Sequence, residues 1–101
     1  MQTNLSIKEG EAVVSLSGRF DFNAHRDFRA AYEPLIDSVE AHSIVIDLSG
    51  VDYLDSSALG MLLILRDKAA NVKKTLSLAN AQSSVKQVLN IANFGKLFKI
   101  V

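Results

Sequence analysis

The stretch SIVIDLSGVDYLDSSALGMLLILRDKAA, residues 43–70, has the clearest strand-to-helix pattern of the chain and raises the first functional question. It opens with the apolar run Ile44–Leu48, which lacks clear alternation and is typical of a central strand covered on both faces. An apolar helix is predicted to follow, from about residue 56 to residue 71. Between strand and helix stands Asp55-Ser56-Ser57, with no neighbouring base that would activate either serine.

The residues before this stretch predict a hairpin and a helix. In NLSIKEGEAVVSLSG, residues 4–18, apolar and polar residues alternate on both sides of a predicted turn at Glu9-Gly10-Glu11. Asn23 is a plausible N-cap for the helix that follows, and Pro34 is expected to bend or split that helix. The apolar positions at helical spacing are Phe28, Ala31, Tyr32, Leu35, Ile36 and Val39.

The residues after the stretch complete a small α/β domain. TLSLAN is a short predicted strand, SSVKQVLNIAN an amphipathic helix, and LFKIV a closing strand. The element order ββαβαβαβ spans residues 1–101 as one domain. Because a strand, crossover helix and strand favour parallel neighbours, we expect a mixed, mostly parallel sheet with helices packed on it.

The composition excludes several classes of function. Eleven basic and eleven acidic residues balance, so no general basic field attracts nucleic acid. The chain lacks cysteine and paired metal-ligand spacings, and no metal or cofactor is predicted. The longest apolar run, Ala58–Leu65, is too short to span a bilayer, and no secretory signal opens the chain. These features predict a cytoplasmic protein that binds neither nucleic acid nor membrane.

Three interpretations of the two serines remain open on the residues alone. Asp and Ser are favoured N-caps, so a capping role is sufficient. A catalytic serine needs an oriented base, but His25 and His42 lie in no recognisable motif. A serine at a helix start also suits phosphorylation, because free N–H groups and the helix dipole stabilise an added anion. The residues leave Ser56 and Ser57 equivalent as acceptors.

The apolar helix raises a related question, because its large side chains surround most of its circumference. Either the helix is buried wholly within the domain, or part of it meets a partner. Leu59, Met61 and Leu65 are candidates for partner contacts, and core packing is an equally good interpretation of Met61 and Leu65. Arg66 falls inside the apolar arc and is expected to reach the edge of the core or a partner's acidic residue.

GRFDFNAHRDF, followed by IDLSGVDYLDSSALGMLLILRD, resembles the STAS-domain anti-sigma factor antagonists of bacteria. The similarity includes a G-x-x-D ending at Asp21, the D-S-S-x-L-G opening of a helix, and the closing NFGKLFKIV. It implies a STAS fold and a non-enzymatic antagonist that binds an anti-sigma factor or switch serine kinase and indirectly frees a sigma factor. It also implies a phosphorylated serine, Ser56, and a PP2C-type serine phosphatase that reverses the modification.

In this resemblance, the ATP and Mg²⁺ belong to the kinase, and Asp21, Asp55 and Ser57 form the environment of the phosphorylation site. Ala58 replaces a glycine common in the family, which is harmless if the position is ordinary helix. The alternatives are a STAS scaffold acting on another partner without sigma release, and a two-component receiver. The receiver is disfavoured because no acidic pair follows the first strands.

Overall fold

Five strands form one mixed sheet in which spatial order equals chain order. The computed structural model describes residues 1–101. The strands are β1 (Gln2–Lys8), β2 (Glu11–Phe20), β3 (Ser43–Leu54), β4 (Thr75–Ala79) and β5 (Lys99–Ile100). The first pair is antiparallel and the other three pairs are parallel. This confirms the predicted mixed, mostly parallel sheet.

Three α-helices connect the parallel strands: α1 (His25–Ile36), α2 (Ser56–Asn71) and α3 (Ser83–Ile91). The predicted element order is confirmed, with the addition of two short 3-10 turns at Phe22–Ala24 and Phe94–Lys96. The predicted bounds of the apolar helix agree with α2. No helix has both the length and the apolarity that crossing a bilayer requires.

The hairpin turn consists of two residues rather than three. Glu9 and Gly10 both have positive φ, 53° and 83°, as a type I′ turn requires. Glu11 already belongs to β2 and pairs with Lys8. The turn was therefore predicted at the correct place but one residue too long.

The core lies against one face of the sheet. Ile44, Ile46 and Leu48 of β3 are buried, and they form one cluster with Phe28 of α1 and residues of α2 and α3. The intervening residues of β3, such as Val45, are half-buried. The expectation that β3 is covered on both faces is wrong, because the helices pack on one side and β-branched residues also occupy the half-open side.

The start and end of α1 differ from the prediction. Asn23 is not its N-cap; it lies within the 3-10 turn, where its N–H donates to Asp21 Oδ1 at 3.0 Å. The helix ends at Ile36, so Val39 lies beyond it and is 87% exposed. Pro34 falls in the last turn, where it does not split the helix.

Arg66 connects α2 to the C-terminal segment. Its Nε donates to the carbonyl oxygen of Leu97 at 2.8 Å, and its guanidinium lies 3.7 Å from Asp67. The side chain thus reaches the edge of the core, as the helical wheel predicted, and there it satisfies a backbone acceptor.

Candidate functional site

The start of α2 is capped by Asp55, directly at the end of β3. Asp55 has extended backbone angles, and its Oδ1 accepts a hydrogen bond from the Ala58 N–H at 3.0 Å. Its carbonyl oxygen accepts from the Leu59 N–H at 3.2 Å. Because the aspartate supplies the cap, Ser56 is the first helical residue and its hydroxyl is not needed for capping.

The two serines have different surroundings. Ser56 is exposed, whereas Ser57 is half-buried and Ala58 is fully buried. Ala58 lies in the first helical turn and does not have the positive φ that would favour glycine. Its replacement of the family glycine is therefore compatible with the helix, and its methyl group belongs to the core.

A second aspartate lies beside this cap. The Asp55 N–H donates to the Phe20 carbonyl oxygen at 3.4 Å, which joins the ends of β3 and β2. Asp21, the next residue, caps the 3-10 turn that leads into α1. The structure thus places the backbones of Asp21 and Asp55 at the same end of the sheet, with the two serines directly after Asp55. The two aspartates start the helical segments that follow adjacent strands.

Arg19 and Tyr53 extend the site across the sheet. They are partners in the β2–β3 register, and the Arg19 guanidinium carbon lies 4.0 Å from the centre of the Tyr53 ring. Arg19 Nε also lies 3.5 Å from Asp21 Oδ2. Tyr53 is 41% exposed, so this cation–π pair presents a partly apolar surface near the helix start.

Phe22 is a further exposed apolar residue, with 63% of its surface accessible. Its ring stacks on that of His25 at a centroid distance of 5.0 Å, and His25 Nδ1 lies 2.9 Å from the Phe22 carbonyl oxygen. Sequence reasoning missed Phe22, Tyr53 and Arg19. Phe20 and Phe22 are both neighbours of Asp21 in the sequence. The sequence does not show that Phe20 is buried in the core and that Phe22 lies on the surface.

A shallow groove of about 220 Å³ continues the surface between α1 and α2. Met61 and the half-exposed Ile64 contribute from α2, and Tyr32 from α1. Lys68 lies over the Tyr32 ring at 5.7 Å. Leu65 is fully buried, so core packing is the correct one of its two predicted roles, and Leu59 is half-buried against the core. α2 thus buries one face and leaves another available.

An ion pair between Arg29 and Glu33 lies beside this groove, on α1. A hydrogen bond of 2.7 Å from Arg29 Nε, reinforced by charge attraction, lowers the pKa of Glu33 and raises that of Arg29. Both side chains lie on the surface. No cluster of three or more histidine, cysteine or acidic side chains with metal-binding geometry occurs in the domain.

Comparison with known proteins places this geometry in a family. The family model described as "Mlab, STAS domain" matches residues 3–101. The chain belongs to the STAS-domain family. A STAS-domain containing protein of Pseudomonas aeruginosa, PA14_20770, is 50% identical over 90 residues, which cover 89% of this chain and 87% of that protein.

Solved structures of other STAS domains share the fold. An anti-sigma factor antagonist from Mycobacterium paratuberculosis is 25% identical with a TM-score of 0.85, over 98% of this chain and 83% of that one. The unphosphorylated anti-sigma factor antagonist SpoIIAA is 21% identical with a TM-score of 0.81, over 99% and 88% of the two chains. Phosphorylated SpoIIAA from Bacillus is 20% identical with a TM-score of 0.74, over 99% and 91%. This STAS domain is therefore structurally similar to anti-sigma factor antagonists.

Proposed function

We propose that this STAS domain is an anti-sigma factor antagonist that is switched by phosphorylation of Ser56. The unmodified form binds an anti-sigma factor or switch serine kinase, and a sigma factor is thereby freed for transcription. Phosphorylation at Ser56 turns binding off, and a PP2C-type phosphatase restores it. The protein acts in the cytoplasm without catalysis of its own.

The observation that carries the proposal is the exposure of Ser56 at the first helical position, with capping already supplied by Asp55. A hydroxyl that does not serve the fold is free to be modified without breaking a native contact. The N-terminal end of α2 locally favours an added anion. Ser57 is half-buried one residue further into the helix, which supports Ser56 as the acceptor.

The surroundings explain how the modification weakens a complex. A phosphate adds a charge of about −1.5 to −2 beside Asp55 and Asp21. Arg19, the cation in contact with Asp21, is already engaged by that carboxylate and by Tyr53. A partner covering this surface would therefore have to desolvate an anion that has only the start of α2 to stabilise it, which is costly. An unmodified serine is small, neutral and readily covered.

The acceptor assignment is tested with the serine kinase recovered together with the unmodified protein from its host. We expect kinase and ATP to add one phosphate, located at Ser56 by peptide mass spectrometry. Ser56→Ala should abolish the modification and retain binding, whereas Ser57→Ala, the matched control, should still be modified. Modification of the Ser56→Ala variant to the same extent would reject the assignment.

The scaffold alternative predicts a different binding result. A STAS module that acts on another partner without a phosphorylation switch would bind that partner equally well in both states. Comparing the affinity of the unmodified protein with that of protein carrying phosphoserine at position 56 therefore distinguishes the two functions.

A further inference from the structure

The outer edge of β1 is unusually open for a sheet of this size. β1 lies at one end of the sheet and all seven of its residues are exposed. Edge strands are normally protected by proline, bulges or charges, because their free N–H and C=O groups pair readily with other strands. β1 has no proline and no register shift, and its one charged residue is Lys8 at its end.

The hairpin geometry identifies which backbone groups point outward. Lys8 and Glu11 flank the two-residue turn and form its hydrogen-bonded pair. In an antiparallel ladder only alternate residues exchange hydrogen bonds with the partner strand. Ser6, Asn4 and Gln2 therefore face β2. The N–H and C=O groups of Thr3, Leu5 and Ile7 point to the open edge.

The same residues carry apolar side chains. Leu5 and Ile7 are 44% and 39% exposed. They lie opposite the buried Val14 and Ala12 in the register, and so they are on the side of the sheet that the helices cover. The open edge thus combines free hydrogen-bonding groups with an uncovered apolar pair.

We propose that β1 pairs antiparallel with β1 of a second copy, with Leu5 of both copies at the twofold axis. In this register Thr3 lies opposite Ile7 and Gln2 opposite Lys8, so all three outward-facing residues of each strand pair and about six hydrogen bonds form. No like charges meet across the interface. The partner is a second copy because the outward hydrogen-bonding groups and the apolar side chains of the strand match those of its own twofold-related copy, while Lys8 meets the neutral Gln2.

The helix layer leaves room for this pairing. Asp27 of α1 lies 3.9 Å from the amino group of Met1, which places this face of α1 on the β1 side. One and two turns later the same face carries Ala31 and Pro34, which are small. Two copies of α1 can therefore approach each other across the joined strands.

The pairing has a consequence for the Ser56 site. The start of β1 lies beside the end of β2, near the end of the sheet where α2 begins. Because the two β1 strands run in opposite directions, the two Ser56 residues lie at opposite ends of one continuous sheet. Each dimer then presents two docking sites that face away from each other.

Cysteine cross-linking tests the register, since the chain contains no cysteine. The two copies of Leu5 would form a hydrogen-bonded pair at the twofold axis. The Cα atoms of such a pair are about 5.5 Å apart, a distance that a disulfide can span. Under mild oxidation we expect Leu5→Cys to form a covalent dimer. Ile7→Cys, the matched control, should remain monomeric because Ile7 lies opposite Thr3. Equal cross-linking of the two variants, or none of Leu5→Cys, would overturn the proposal.

Sedimentation equilibrium tests association without a cross-link. The paired strands bury less surface than a stable interface, so the measurement extends to a protein concentration of about 1 mM. We expect the mass to rise from 11.0 kDa toward that of a dimer. Leu5→Lys, which places two ammonium groups at the axis, should weaken association at least tenfold, and Ile91→Lys on exposed α3 should not. A wild-type protein that stays monomeric throughout would contradict the proposal.

Discussion

At the scale of single residues, the Asp55 carboxylate caps the N-terminus of α2, a role for which serine is also a favoured residue. Its hydrogen bond to the Ala58 N–H satisfies one of the free donors at the start of α2. We expect Asp55→Ala to lower the free energy of unfolding by about 1 kcal/mol, measured by urea denaturation. Asp52→Ala, an exposed control, should change it by less than about 0.5 kcal/mol. Equal losses in both variants would refute the capping role.

Glu33 provides a residue-scale prediction about pH. The hydrogen bond from Arg29 holds the folded-state pKa of Glu33 below its ordinary value of 4.5. The pair therefore stabilises the fold above that value, and its contribution disappears as the pH falls through the lowered pKa. We expect Glu33→Gln to be slightly less stable than wild type at pH 7 and indistinguishable from it at about pH 2. Urea midpoints at the two pH values measure this, and a constant difference would contradict it.

At the scale of elements, α2 contains Gly60, which is unfavourable inside a helix, and Ala58, which is favourable there. A Cβ added at Gly60 would meet nothing within 4 Å, whereas the methyl group of Ala58 is fully buried. We expect Gly60→Ala to raise the free energy of unfolding by roughly 1 kcal/mol. Ala58→Gly, two residues earlier, should lower it by at least about 1 kcal/mol. Chemical denaturation of both variants tests the pair, and shifts of the same sign would show that α2 is placed incorrectly.

Element type was more predictable from the sequence than the environment of each element. The pattern from Ser56 to Asn71 predicted α2 to the residue, because apolar density and the D-S-S start both mark its limits. The apolar run Ile44–Leu48 predicted the first part of β3 but not its continuation to Leu54. It also misjudged the coverage of the strand, since Val45 fits a half-open face as well as a closed one. Asn23 was mistaken for a cap because Asp21, two residues earlier, supplies the same chemistry.

The sequence likewise indicated only some of the residues of the candidate site. The family resemblance implied that Asp21 and Asp55 flank Ser56, and the hydrogen-bonded ends of β2 and β3 place the backbones of the two aspartates at one end of the sheet. It gave no sign of Tyr53 or Phe22, because exposure depends on the tertiary packing of residues far away in the chain. The sequence left Leu65 open between partner contact and core packing, and the structure buries it. Periodicity alone does not identify the buried face of a helix that is apolar almost all round.

At the scale of the whole molecule, the fold should be insensitive to the switch. Ser56 is exposed and the cap belongs to Asp55, so a phosphate at position 56 breaks no native contact. We expect phosphoserine at this position to change the free energy of unfolding by no more than about 1 kcal/mol. Thermal unfolding of the modified and unmodified proteins measures this. A loss of several kcal/mol would mean that the modification acts by unfolding the domain.

Isothermal titration calorimetry with the isolated partner kinase measures whether the exposed Ser56 hydroxyl controls association. Protein with phosphoserine at position 56 should bind at least about a hundredfold more weakly than unmodified protein, equivalent to about 2.8 kcal/mol. Phosphothreonine at position 75, exposed at the start of β4 beyond the far end of α2, serves as the control for added charge and should leave affinity nearly unchanged. Equal affinity of the position-56 phosphoprotein and the unmodified protein would contradict the account.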